Sequence, residues 1–92
     1  MPSARPASFG IASGRATLAA DSAGEGAPVV LLHAGVADRR MWRTEIDALA
    51  AAGYRAVAYD RRGFGETLHA DESWSHVGDL VAVLDRVAPD GP

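Results

Sequence analysis

The apolar run Val29-Val30-Leu31-Leu32 has no polar alternation, so it predicts a strand covered on both faces, as in a parallel sheet flanked by helices. Pro28 marks its start, and it ends abruptly in His33-Ala34-Gly35. Beyond it, Trp42, Ile46, Leu49 and Ala50 recur at helical spacing, with Asp38 or Thr44 as candidate N-caps and Gly53 as the C-terminal cap. The bounded segment Tyr54–Tyr59 then predicts a second strand. Strand, helix and strand make a β-α-β unit, whose crossover is almost always right-handed and whose strands are parallel. Ser73 caps a further predicted helix in which Trp74, Val77, Leu80, Val81, Leu84 and Val87 share a face, ended by Pro89, Gly91 and Pro92.

Ahead of this unit, Phe9-Gly10-Ile11 and Arg15–Ala19 are short candidate strands around a Ser13-Gly14 turn, followed by a polar loop from Asp21 to Gly26. Residues 1–8 read as a flexible arm and 9–92 as a single α/β domain. Its order is a short β-hairpin, then β-α-β-α with parallel central strands. In open α/β sheets ligands bind beyond the carboxyl ends of strands, and glycine permits positive φ or close approach of the backbone to a ligand. His33 to Val36 is therefore the first place to look for chemistry.

Composition narrows the classes. Ninety-two residues allow one small domain, and a large catalytic cleft is not expected within it. The net charge of −3 speaks against a nucleic-acid surface, and all nine basic residues are arginine, which excludes a lysine Schiff base or a phosphate-loop lysine. The absence of cysteine removes disulfides, thiolate nucleophiles and cysteine-ligated metals. His69 and His76 have no partner spacing that suggests a metal site, and no cofactor is expected. No stretch resembles a signal peptide or approaches the roughly 20 apolar residues of a membrane span, so a cytoplasmic protein without membrane contact is expected. Arg62-Gly63-Phe64-Gly65 matches the start of an RNA-binding signature, but Glu66 and Thr67 break it. No G-x-G-x-x-G joins a strand to a helix.

His33-Ala34-Gly35 after an apolar strand, a tryptophan-bearing helix, and Asp60-x-Arg62-Gly63-x-Gly65-x-Thr67 after the next strand together resemble the amino-terminal part of an α/β-hydrolase, over about residues 9 to 88. The resemblance implies that the turn after the His-Gly pair gives one backbone N–H of an oxyanion hole. The matching position is Gly35, with Val36 as the neighbouring candidate, and Ala34 stands where the family usually has glycine. It further implies that His33 orients this turn through its ring nitrogens. Asp60 and Arg62 resemble an acidic and basic pair bracing the loop after the strand. Thr67 keeps a hydroxyl able to pin that loop.

A serine hydrolase of this type needs G-x-S-x-G on a strained strand-to-helix turn. Gly10-Ile11-Ala12-Ser13-Gly14 has its serine one place too late, and no other serine sits in such a motif. The expected fold is therefore an incomplete α/β-hydrolase sheet, and these 92 residues are expected to be inactive alone, lacking nucleophile, acid and base. The function expected is that of a segment of a serine-esterase-like enzyme acting on an ester, lactone or related acyl substrate. It would supply scaffold and one oxyanion-hole N–H. The alternative is a non-catalytic fragment or interaction module that pairs with a protein partner or with itself through an open sheet edge.

Overall fold

In the computed structural model, which describes residues 7–33, 35, 37–67 and 72–89, hydrophobic periodicity becomes two helical segments on opposite faces of one sheet. The strands are β1 (Ala7–Ser13), β2 (Ala16–Ala23), β3 (Pro28–Leu32) and β4 (Arg55–Tyr59). A short 3-10 turn over Arg39–Trp42 leads into α1 (Arg43–Ala51), and α2 (His76–Val87) follows β4. The sheet order is β1-β2-β4-β3, antiparallel between β1 and β2 and between β2 and β4, and parallel between β4 and β3.

The hairpin is longer than the sequence predicts. β1 begins at Ala7, inside the expected arm, because Ala7 pairs with Ser22 and Ser8 with Asp21, and the Ser8 hydroxyl donates to the Asp21 carboxylate at 2.7 Å. Pairing with β1 as far as Ser22 and with β4 as far as Ala23, opposite Ala56, carries β2 into the expected loop. Residues 1–6 lie outside the described residues. Asp38 rather than Thr44 does the capping, its carboxylate accepting from Arg40 N–H at 2.9 Å in the 3-10 turn. At the far end of α1, Gly53 takes φ +92°, Tyr54 N–H donates to Leu49 carbonyl and Gly53 N–H to Ala50 carbonyl. This is the Schellman arrangement, and it satisfies carbonyls that the helix itself leaves open.

Period two in β4 divides the core. Val57 and Tyr59 face α2 with Ile11, Leu18, Ala20, Val83 and Val87, while Ala56 and Ala58 face α1 with Ile46, flanked by Trp42, Leu49 and Leu31. β3 has apolar cover on both faces, as its pattern predicts, Val30 packing against the α2-side cluster and Leu31 against the α1-side one, but that cover is partial. Among the described residues β4 is its sole neighbour, so Val29 to Leu31 are half-buried and Leu32 is exposed.

The rotation of α2 also differs from its apolar pattern. The sequence predicts Trp74, Val77, Leu80, Val81, Leu84 and Val87 on the inner face. In the structure Ser75, not Ser73, is the N-cap, accepting from Gly78 N–H at 2.9 Å, so Trp74 precedes the helix. Asp79, Val83 and Val87 are the buried positions, and Val77, Val81 and Leu84 are exposed. The reason is an ion pair. Arg62, 2% exposed, donates from Nη2 and Nε to Asp79 at 2.8 and 3.2 Å and from Nη1 to Glu72 at 2.7 Å. Ser13 adds its hydroxyl to Asp79 at 2.6 Å and its carbonyl to Arg62 at 3.1 Å, and Trp74 lies under the guanidinium at 5.0 Å. A buried carboxylate must be paired, so Asp79 turns inward and carries Val83 and Val87, one and two helical steps on, into the core.

Two titrations follow from this packing. The Arg15 backbone N–H and the Arg62 guanidinium hold the Glu72 carboxyl below its ordinary value of 4.5. A depressed folded pKa stabilises above the unfolded value and is lost as pH falls through the folded one. Glu72→Gln is expected to flatten the decline of stability below pH 4.5, measured by denaturant melts across an acid series. Conversely, burial, with Asp79 adding and Arg61 opposing, pushes the Tyr59 phenol up to about 12. Stability from Tyr59 is full below its unfolded value of 10.0 and drains as pH rises towards 12. Its hydroxyl has no hydrogen-bond partner among the described residues. Tyr59→Phe is therefore expected to change neutral-pH stability by less than about 1 kcal/mol and to remove the alkaline loss in melts between those two values.

Candidate functional site at the carboxyl edge of the sheet

Parallel β3 and β4 end together, Leu32 beside Tyr59, so the turns that follow them meet at one edge. His33 is 4% exposed. Its Nε2 accepts from Arg61 N–H at 2.9 Å, and its ring meets Phe64 edge-on at 5.1 Å. The expectation that His33 orients the turn by bonding loop backbone is thus realised across strands. Because Nε2 is the acceptor, the proton of the neutral ring sits on Nδ1.

Gly35 stands exposed after this anchor. A Cβ at Gly35 would stand 3.6 Å from Arg61 Nη2, in ordinary contact, so the missing side chain leaves open space and does not relieve a clash. Val36, the neighbouring oxyanion candidate, lies outside the described residues, as do Ala34 and His69. His76 is the first residue of α2 and packs edge-on against Trp74 at 4.9 Å. No group of acidic or histidine side chains among the described residues is arranged to hold a metal ion.

The loop after β4 rests on Asp60, which is fully buried. The pair expected between Asp60 and Arg62 does not form. Asp60 continues the alternation of Ala56 and Ala58 towards the α1 face, whereas Arg62, beyond the strand, comes round to α2. The partner of Asp60 is Arg39. Its backbone N–H reaches Oδ1 at 2.6 Å and its Nη1 bonds Oδ2, which also accepts from Glu66 N–H at 2.8 Å. Arg39 Nη2 donates to Glu66 at 2.7 Å, and its Nε lies 3.1 Å from Asp21. Burial alone would depress the Arg39 pKa, but Glu66, Asp21 and Asp60 together raise it, so the guanidinium stays charged. Gly65, at φ +51°, is required because a side chain there would fall on the Asp60 carboxylate. Thr67 pins the other end, its hydroxyl accepting from Ala19 N–H at 2.7 Å while Asp60 N–H donates to Ala19 carbonyl at 2.8 Å.

Sequence reading missed Arg39, Arg61 and Asp79. The signal for Asp79 was present, an acid inside the apolar stretch Val77-Gly78-Asp79-Leu80-Val81 that no surface position requires. Nothing local marked Arg39, which meets Asp60 from 21 residues away.

A sequence profile described as the Alpha/beta hydrolase family matches residues 29–92. Epoxide hydrolase B of Mycobacterium tuberculosis is 44% identical over 66 residues, covering 66% of this chain and 18% of its own length. Epoxide hydrolase 1 of Siraitia grosvenorii is 40% identical over 74 residues, 75% of this chain and 24% of that protein. The chain therefore spans about a fifth of these relatives. Among solved structures, an epoxide hydrolase from Vigna radiata superposes with a TM-score of 0.81 at 35% identity, over 90% of this chain and 27% of that one. A bromoperoxidase from Bacillus anthracis gives 0.78 at 30% identity, over 88% and 31%. No helix among the described residues is long and apolar enough to cross a membrane. The profile takes in the Gly35 turn and the Asp60 loop alike, and the superpositions place the same sheet beneath them, so the chain belongs to the alpha/beta hydrolase family.

Proposed function

We propose that these residues form the scaffold and one half of the oxyanion-stabilising turn of a hydrolase, with the Gly35 N–H as donor and Val36 as the neighbouring candidate. The observation that carries the reading is the open Gly35 turn, tied through His33 to the loop after β4. A fixed N–H aimed at a developing negative charge lowers the barrier by about 3 kcal/mol, and it does so only if its position is set beforehand. The buried histidine and the paired Asp60 supply that rigidity.

For the substrate, the relatives' names favour an epoxide over the ester, lactone or related acyl compound that the resemblance alone suggests. Both chemistries place negative charge on oxygen, as an alkoxide when an epoxide C–O bond opens or as a tetrahedral oxyanion when an acyl group is attacked. One donor serves either. Nucleophile, acid and base would come from the rest of a domain of the relatives' length.

A second reading has its own observation. The outer edge of β3 is unpaired among the described residues, and Val77, Val81 and Leu84 stand exposed on α2. Both suit a protein partner or a second copy. Light scattering on the eluting 92-residue chain decides this one: a well-folded monomer that binds nothing removes it.

The hydrolase reading is tested by joining these residues to the remainder of such a domain and assaying styrene oxide and p-nitrophenyl acetate. Turnover is expected from the joined protein and none from the 92 residues alone; a joined, folded protein inert to both would overturn the reading. Gly35→Pro, which deletes the N–H, is expected to lower kcat by about a hundredfold or more, whereas Gly35→Ala keeps the donor and the fold. The scaffold role is tested separately. Asp60→Ala leaves the Arg39 backbone N–H, its Nη1 and the Glu66 N–H without their buried acceptor, while Glu66 and Asp21 still face the guanidinium, and is expected to destabilise the chain by about 3 kcal/mol in chemical denaturation.

A further inference from the structure

Arg39, Arg40 and Arg62 each have a carboxylate partner, but the Arg61 guanidinium has none among the described residues. It is nevertheless held in place. Its backbone is tied to His33, and its guanidinium carbon lies 4.9 Å over the Phe64 ring, which is itself seated against His33. Nε is buried with no hydrogen-bond partner among the described residues. Nη2 flanks the open space at Gly35, 3.6 Å from where a Cβ would stand. Asp60 and Glu66, the acids close to it in sequence, are both engaged by Arg39.

We propose that Arg61 and the Gly35 turn form an anion subsite that takes a carboxylate carried by the substrate, making Arg61 a specificity-determining residue. The inference rests on the hydrolase reading for its biological meaning but not for its chemistry. A guanidinium presents N–H donors in a planar fork that matches a carboxylate bidentately, and a fork seated over an aromatic ring loses less freedom on binding. Phe64 is that ring here, 4.9 Å from the guanidinium carbon, and the missing side chain at Gly35 leaves room for a planar group beside it. The edge of the sheet thus offers positive charge next to the place where a reacting oxygen would sit. A substrate with a carboxylate near its reacting carbon would be held by both.

The test needs no turnover, so its failure is distinct from failure of the hydrolase reading. The isotope-labelled 92-residue chain is titrated with sodium acetate at constant ionic strength, with acetamide as the neutral isostere, and the Gly35 N–H and Arg61 Nε–H resonances are followed. Saturable shifts are expected with acetate and not with acetamide. Arg61→Gln is expected to weaken acetate binding about tenfold or more. Arg61→Lys, which keeps the charge without the fork, falls between, and Arg40→Gln leaves binding unchanged. Equal shifts with acetamide, no saturable response to acetate, or wild-type affinity in Arg61→Gln would overturn the proposal. Should Arg61→Gln lose its dispersed spectrum, Arg61→Lys decides, because undiminished affinity there would reject recognition by the fork.

Discussion

The buried carboxylate of Asp60 is the constraint on which the functional edge depends. An ionised group removed from water is tolerated only when its lone pairs are filled, and Asp60 accepts from the Arg39 backbone, the Arg39 side chain and the Glu66 backbone. Those three bonds draw the segment after β3 and the loop after β4 onto one point at the end of the sheet. The loop has little freedom left. Gly65 must stay small beneath the carboxylate, and Thr67 closes the far end against β2.

A second buried charge does the corresponding work on the opposite face. Arg62 and Asp79 join the turn after β4 to α2, and Ser13 and Glu72 bring in the hairpin and the helix approach. Gly35 belongs to neither cluster. Their effect on it is indirect: they hold the loop that carries Arg61 and Phe64, and this loop holds His33, after which Gly35 follows. The turn after β3 is in this way tied to the loop after β4.

The same arrangement explains how one fold can host several chemistries among the proteins this chain resembles, which include proteins named epoxide hydrolase and bromoperoxidase. The fold sets the sheet edge and its charge clusters, but a fold does not set a reaction, which depends on the groups brought to that edge. Arg61 adds a cationic side chain at its margin.

The chain by itself determined the alternation of elements, the β-α-β unit, the turn at Gly35 and the helix end at Gly53, since each is a local matter of periodicity or of what glycine and proline permit. It also marked Asp60, Arg62 and Thr67 as polar residues with structural work to do. Only the tertiary structure decided who meets whom. Asp60 pairs with Arg39 because strand alternation sends it to the α1 face, and α2 turns on Asp79 because a buried charge must reach its partner, which rotates the apolar face so that only its Val83 and Val87 side is fully buried. Hydrophobic pattern is periodic and can be read along a sequence, whereas the partner of a buried charge is fixed by distance in space, and 21 residues separate Arg39 from Asp60.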